Sequence, residues 1–268
     1  MVRVGDIFIG EGKPKICASI TETDRKAVIA AADLLLQKRI DIVEWRVDFY
    51  EELHQWDMVL ETLQRLKMSL SGKPLLVTLR TMAEGGNVEL SPDSYRDFLE
   101  KLADSGYVDM IDVEIFQEIS YEDITSSQPG DSTWQQFTQL QQWIEHLQQK
   151  SVVVGSYHDF HATPSDREME QRMEIIGASG VDIPKLAVMP QNKMDVLRLM
   201  TFTLREKEKL GKPLITMAMG KMGSISRVSG EAFGSSVTFG SIGQESAPGQ
   251  LPVNKLEEML EMIHQNYQ

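Results

Sequence analysis

Eight β-prone runs, each trailed by a stretch of helical periodicity, predict an α/β fold. The expected form is a (β/α)8 TIM barrel with an N-terminal β-hairpin covering one end. Length agrees, since the chain has 268 residues and ~250 is usual for such a barrel. The rival, an open doubly wound sheet, normally begins with a G-x-G-x-x-G turn. Here the first turn reads Ser19-Ile20-Thr21-Glu22-Thr23, with no such glycines. The alternation runs throughout, so residues 1–268 are expected to form one domain.

Residues 2–9 hold two short β-prone runs around Gly5-Asp6, a turn in which Gly supplies the positive φ. The first barrel strand is 15–20, ahead of an Ala- and Leu-rich helix at 24–38. Strand 41–47 precedes a helix near 51–70, and strand 75–79 precedes one from 92 to 103. Strand 108–114 is paired with helix 132–149, and strand 152–157 with helix 165–178. In that last unit Val152-Val153-Val154 is a buried β-branched run, and Thr163-Pro164-Ser165 opens the helix. Strand 183–188 leads to helix 192–209, and strand 214–218 to a shorter helix near 224–232. Strand 237–239 and helix 252–265 close the order. The small-residue stretch 126–132 reads as a mobile loop.

Lys and Arg number 27 against 40 Asp and Glu, a formal net charge of -13. Nucleic acid and anionic membranes need a basic face, so neither is an expected partner. A small anionic ligand stays open, because a few Arg can reverse the potential inside a cleft. Cys17 is the only cysteine, which precludes an intrachain disulfide, and its apolar surroundings suggest an inert buried thiol. No stretch resembles a secretory leader or a membrane span. A soluble cytoplasmic protein is expected.

Barrels of this type carry their chemistry at the C-terminal ends of the strands. Side chains two apart share a face there. Glu44 and Arg46 therefore stand together with Asp48 beyond, as do Thr78 and Arg80, Asp112 and Glu114, and Ser156 and His158. Lys185 lies within Val181-Asp182-Ile183-Pro184-Lys185-Leu186-Ala187-Val188-Met189. Charges in apolar runs, always near the same end, predict a polar pocket above a packed barrel.

Burial disfavours an ammonium and can draw a lysine from ~10.4 toward neutrality. The neutral amine can then form a Schiff base. The plainer reading makes Lys185 structural, paired with Asp112 or Glu114. His158 is suited to shuttle protons, or else is a core imidazole. Together with His161 it also suggests a metal site, although the chain leaves strand for loop after His158. The turn Gly220-Lys221-Met222-Gly223 opens a helix and could present N–H groups to an anion, with Arg227 beside it. Residues 240–250 are rich in small side chains and read as a lid over the mouth.

A resemblance emerges from motifs in order. These are Glu44-Trp45-Arg46, Thr78-Leu79-Arg80 with Glu84-Gly85-Gly86, His158-Asp159-Phe160, Pro184-Lys185, Ile225-Ser226-Arg227 and Ser246-Ala247-Pro248-Gly249-Gln250. Spread over almost the whole chain, they resemble the type I 3-dehydroquinate dehydratases. That resemblance implies a hydro-lyase of the shikimate pathway, converting 3-dehydroquinate to 3-dehydroshikimate without metal or organic cofactor. It implies that Lys185 forms an imine with the C3 ketone and that His158 takes the C2 proton. His158 would pass a proton to the departing C1 hydroxyl, while Glu84 orients it and stabilises its charged form. The resemblance further implies that Glu44, Arg46, Arg80 and Ser19 hold ring hydroxyls and that Arg227 holds the carboxylate. Ser246 and Gln250 would come from the closing loop, and a homodimer is the implied assembly. Residues 115–133 are longer and more polar than the family leads one to expect. Two other readings are a metal-dependent barrel hydrolase using His158 and His161, and a carboxylate-binding barrel without catalysis.

Overall fold

The computed structural model describes residues 1–128, 130–243 and 245–267. Pro129, in the expected loop, and Gln244, in the expected lid, lie outside the described residues. The chain opens with an antiparallel hairpin of β1 (Val2–Val4) and β2 (Ile7–Ile9), turned by Gly5 at φ 55°. Eight parallel strands follow: β3 (Lys15–Ile20), β4 (Ile42–Arg46), β5 (Leu75–Thr78), β6 (Met110–Glu114), β7 (Val152–Asp159), β8 (Ile183–Val188), β9 (Ile215–Ala218) and β10 (Val237–Ser241). Neighbours in sequence are neighbours in the sheet from β3 to β9, and β10 lies beside β3. The ring closes between β9 and β10 at a Leu214–Ser235 bridge, where the Ser236 N–H donates to the Leu214 carbonyl at 2.8 Å. These are the eight predicted strands in a TIM barrel.

Strand alternation explains the two layers of the core. Outward residues such as Ile20, Val43, Trp45, Val77 and Val113 join the helices in one apolar cluster. Inward residues Cys17, Ile42, Leu76, Met110, Val154, Ile183, Ile215 and Val237 fill the bottom of the lumen. Val4 and Ile9 of the hairpin belong to that same cluster, so the hairpin plugs the N-terminal mouth as expected. Each fully buried aliphatic side chain there contributes roughly 1.5–3 kcal/mol relative to exposure.

The helices are α1 (Arg25–Leu36), α2 (Trp56–Ser69), α3 (Pro92–Asp104), α4 (Tyr121–Ser126), α5 (Ser132–Gln148), α6 (Asp166–Ala178), α7 (Lys193–Leu210), α8 (Ser224–Val228), α9 (Gly230–Phe233) and α10 (Val253–Tyr267). Their starts follow capping chemistry. Asp24, Ser91, Ser165 and Asn192 each accept an N–H from the first turn of α1, α3, α6 and α7. Pro92 sits where its missing N–H costs nothing, and Asp166 and Glu168 face the positive end of α6.

Four differences from expectation stand out. The helix near 224–232 is two helices, because Ser229 (φ -98°, ψ 11°) leaves the helical region. β7 continues to Asp159, since His158 and Asp159 pair with Ala187 and Val188 of β8. The 115–133 segment contains α4, capped by Ser120 and fastened to α6. There the Arg172 guanidinium lies 4.2 Å from the Tyr121 ring and 4.1 Å from the Tyr157 ring. Last, Leu251–Pro252 forms an added strand, β11, parallel to the end of β10. Since β3 occupies one side of β10, β11 takes the other side, above the point where β9 closes the ring.

Candidate active site

Two residues further along β3 to β8, the inward positions become polar. Ser19, Glu44, Arg46, Thr78, Asp112, Glu114, Ser156, His158 and Lys185 follow the apolar layer in the same alternation, and Arg80 stands just beyond β5. Across the lumen the inward residues stay apolar, with Ala187, Met217, Met219 and Phe239. Between these halves lies a narrow cavity of ≈ 40 Å³. That holds a few waters, whereas small-molecule sites run to ~300 Å³ or more.

The polar half is one connected network. Arg80 is its hub, donating to Asp112 (2.7 Å), Glu114 (2.8 Å) and the Ser156 hydroxyl (3.1 Å), with Glu84 at 3.5 Å. Those carboxylates raise the Arg80 guanidinium well above its usual range, against the effect of burial. Lys185 Nζ donates to Asp112 Oδ2 at 2.9 Å, and lies 4.9 Å from the centre of the Phe239 ring. Burial opposes ionisation of Asp112, yet Arg80 and then Lys185 outweigh it and hold the carboxyl well below the carboxylate range.

Glu84 reaches His158 from the turn after β5. Its Oε2 is 2.9 Å from His158 Nδ1 and accepts the His158 N–H at 3.1 Å. Gly85 permits this turn: its φ is 81°, and a Cβ there would meet the Phe160 ring at 2.4 Å. Burial, then Arg80 and Lys185, push the imidazole well below its ordinary value, while burial and Glu114 push Glu84 up.

On the other flank, Arg46 grips Asp48 through two 2.8 Å contacts and lies over the Phe49 ring. Glu44 accepts the Thr78 hydroxyl at 2.7 Å and the hydroxyl of Ser19. The described part of the 240–250 segment covers the mouth. Arg46 donates to the Ser246 carbonyl (3.3 Å), Ser246 Oγ to Ser19 Oγ (3.0 Å), and Gln250 to Ser246 Oγ (2.8 Å). Gly249, at φ 79°, packs so tightly on Gly220 that a Cβ would sit 2.2 Å from its carbonyl oxygen.

Seven of the ten predicted site residues line the cavity, namely Lys185, His158, Glu44, Arg46, Arg80, Ser246 and Gln250. Ser19 and Glu84 stand behind them. Arg227 is also behind the wall, 2% exposed, donating to the Pro248 carbonyl (3.1 Å) and contacting Met217 Sδ (3.8 Å). It takes part in no ion pair among the described residues, its Nε has no partner, and burial lowers it to about 10. The Gly220 N–H, expected to face an anion, donates instead to the Pro248 carbonyl at 2.9 Å. His161 is exposed while His158 lines the cavity, and no cluster able to hold a metal ion occurs among the described residues. The reading of sequence assigned no role to Phe160, Met217 or Phe239, although strand parity marks Met217 and Phe239 as inward.

Fold and site define the class: a (β/α)8-barrel enzyme whose ionisable groups converge at the strand C-termini. The description of the type I 3-dehydroquinase family matches residues 16–267. The chain is 40% identical over 266 residues to 3-dehydroquinate dehydratase of Salmonella typhimurium, spanning 98% of each chain. It is 38% identical over 267 residues to that of Listeria welshimeri, spanning 99% of each. The type I 3-dehydroquinate dehydratase of Clostridium difficile, solved with covalently modified comenic acid, superposes with TM-score 0.87 at 38% identity, over 99% of this chain and 98% of that one. The chain belongs to the type I 3-dehydroquinase family. Its reaction is the dehydration of 3-dehydroquinate, and it is a hydro-lyase.

Proposed function

We propose that Lys185 carries this reaction through an imine and that His158 moves the protons. One observation supports the reading above others: Lys185 and a Glu84-bound His158 occupy neighbouring strands and line the same narrow cavity. The Lys185 nitrogen adds to the C3 ketone, and two of its three ammonium hydrogens pass to the ketone oxygen, which leaves as water. The resulting iminium withdraws electrons from C2, so the C2–H becomes acidic. With Nδ1 engaged by Glu84, the lone pair on Nε2 takes that proton, and the C–H electrons form an enamine. The enamine expels the C1 hydroxyl, which leaves as water with a proton from the imidazolium. Hydrolysis of the remaining imine releases 3-dehydroshikimate and restores Lys185.

Glu44, Arg46, Arg80 and Ser19 are assigned to the ring hydroxyls and Arg227 to the carboxylate. The unpaired charge of Arg227 supports that assignment, because a buried cation gains most from an anionic partner. Ser246 and Gln250 are assigned to a loop that lifts to admit substrate, a reading supported by the narrowness of the cavity they line. No metal or organic cofactor is assigned, since the iminium supplies the electron withdrawal. The chain is taken as one domain working in a cytoplasmic homodimer. Borohydride added with 3-dehydroquinate should leave a reduced adduct on Lys185, read by peptide mass. Turnover with no adduct there overturns the imine reading. A single species near 30.3 kDa by light scattering would overturn the dimer.

A further inference from the structure

Asp112 touches the reacting nitrogen, yet the reaction as written gives it nothing to do. Resting on the imine reading, we propose that Asp112 is a catalytic residue, the fixed counter-anion of the Lys185 nitrogen throughout the imine cycle. Geometry carries the case. Oδ2 lies 2.9 Å from Nζ, while Oδ1 accepts from Arg80 (2.7 Å) and from the Ser156 hydroxyl (2.6 Å), so the carboxylate cannot swing away.

The chemistry fits a permanent anion. A lysine ammonium plus a ketone becomes an iminium plus water, with every atom and the single positive charge conserved. Two hydrogens pass from nitrogen to the carbonyl oxygen, which departs as that water. The nitrogen is therefore cationic before and after imine formation, and one fixed carboxylate serves both states. Asp112 stays ionised beside Arg80 and Lys185, which makes it a poor carrier of protons and leaves that task to His158. The next step has the opposite sign. Loss of the C2 proton turns the iminium into a neutral enamine, which a nearby anion does not favour. The carbinolamine between ammonium and iminium is neutral at nitrogen, so Asp112 favours its loss of water to the iminium and restrains C2 deprotonation.

Asp112→Asn keeps the shape and removes the charge. In rapid-quench borohydride trapping on the full chain, its rate of imine formation should fall roughly 10²-fold, the usual order for removing a preorganised electrostatic partner. Because imine formation then limits turnover, the kcat isotope effect from deuterium at C2 should shrink toward unity, which a merely structural defect would not produce. Ser156→Ala loosens the carboxylate without discharging it, and should slow trapping several-fold. It decides the matter should the Asn variant not fold. If wild type forms no adduct on Lys185, the imine reading itself fails. If wild type is trapped but both folded variants are trapped equally fast, only the role of Asp112 is overturned.

Discussion

The two ends of the lumen share one alternation of side chains and do opposite work. At the bottom, Cys17, Ile42, Leu76, Met110, Val154, Ile183, Ile215 and Val237 meet beneath the hairpin as an apolar layer. At the top, five of those strands present Glu44, Arg46, Thr78, Asp112, Ser156 and Lys185, while β9 and β10 present Met217 and Phe239. The lower layer removes apolar surface from water. The upper layer removes charges from water, a costly step offset only by mutual pairing. The difference teaches that stability and chemistry are separated along the strands rather than between regions of the chain.

The sharpest break of this contrast is Lys185→Ala. Turnover should fall by roughly 10⁴-fold or more, as for loss of a covalent nucleophile, with circular dichroism unchanged. A retained rate would refute its role. Next comes Arg80→Met, which strands Asp112, Glu114 and Glu84 without their shared cation. Denaturant unfolding should show a loss of about 3–5 kcal/mol, the cost of breaking a buried ion pair. A loss under 1 kcal/mol, the value of a surface pair, would mean the network is hydrated.

Leu76→Ala tests the lower layer. It should cost about 2–5 kcal/mol of stability, yet leave kcat within about twofold below the melting range. A large fall in kcat would show that the layers are not separable. A smaller effect is expected at the mouth. Gln250→Ala removes the hydrogen bonds to the Ser246 N–H and hydroxyl, and should raise KM several-fold, about 1 kcal/mol.

The pH profile sharpens the contrast without a mutation. His158 acts as a base only when neutral. Burial, with Arg80 and Lys185, places its imidazole below the ordinary ~6.5. Activity should therefore persist as pH falls through 6.5 and disappear only lower, where the ring takes its second proton. An acid limb at or above 6.5 in kcat would contradict the burial argument.

Most of this arrangement was legible in the sequence, for a physical reason. Strands carry a period of two, so the inward residues of 41–47, 75–79 and 183–188 could be read before any coordinates. Glu84, set in a turn, was assigned by resemblance, and no periodicity places it against His158. The partners of Arg227 and the seating of Gly249 on Gly220 depend on contacts between distant loops, which local pattern does not encode. The helix α4 was missed because its six residues, with Ile124 the one aliphatic side chain, give too short a stretch for a hydrophobic period. Likewise β11, two residues long, has no strand pattern of its own.

That short strand ties down the segment that covers the mouth. Gly240 and Ser241 stand beside Leu251 and Pro252, so both ends of the covering segment are stitched together at the end of β10. The entropy of bringing those ends together is lost once, on folding, and not again at each turnover. On the lid reading proposed above, a segment so tethered swings as a flap about two adjacent hinges instead of wandering as a free arm. On the same reading Ser246 and Gln250 keep a high effective concentration over the cavity while lifted. Reclosure becomes an intramolecular step, with a rate independent of how dilute the enzyme is.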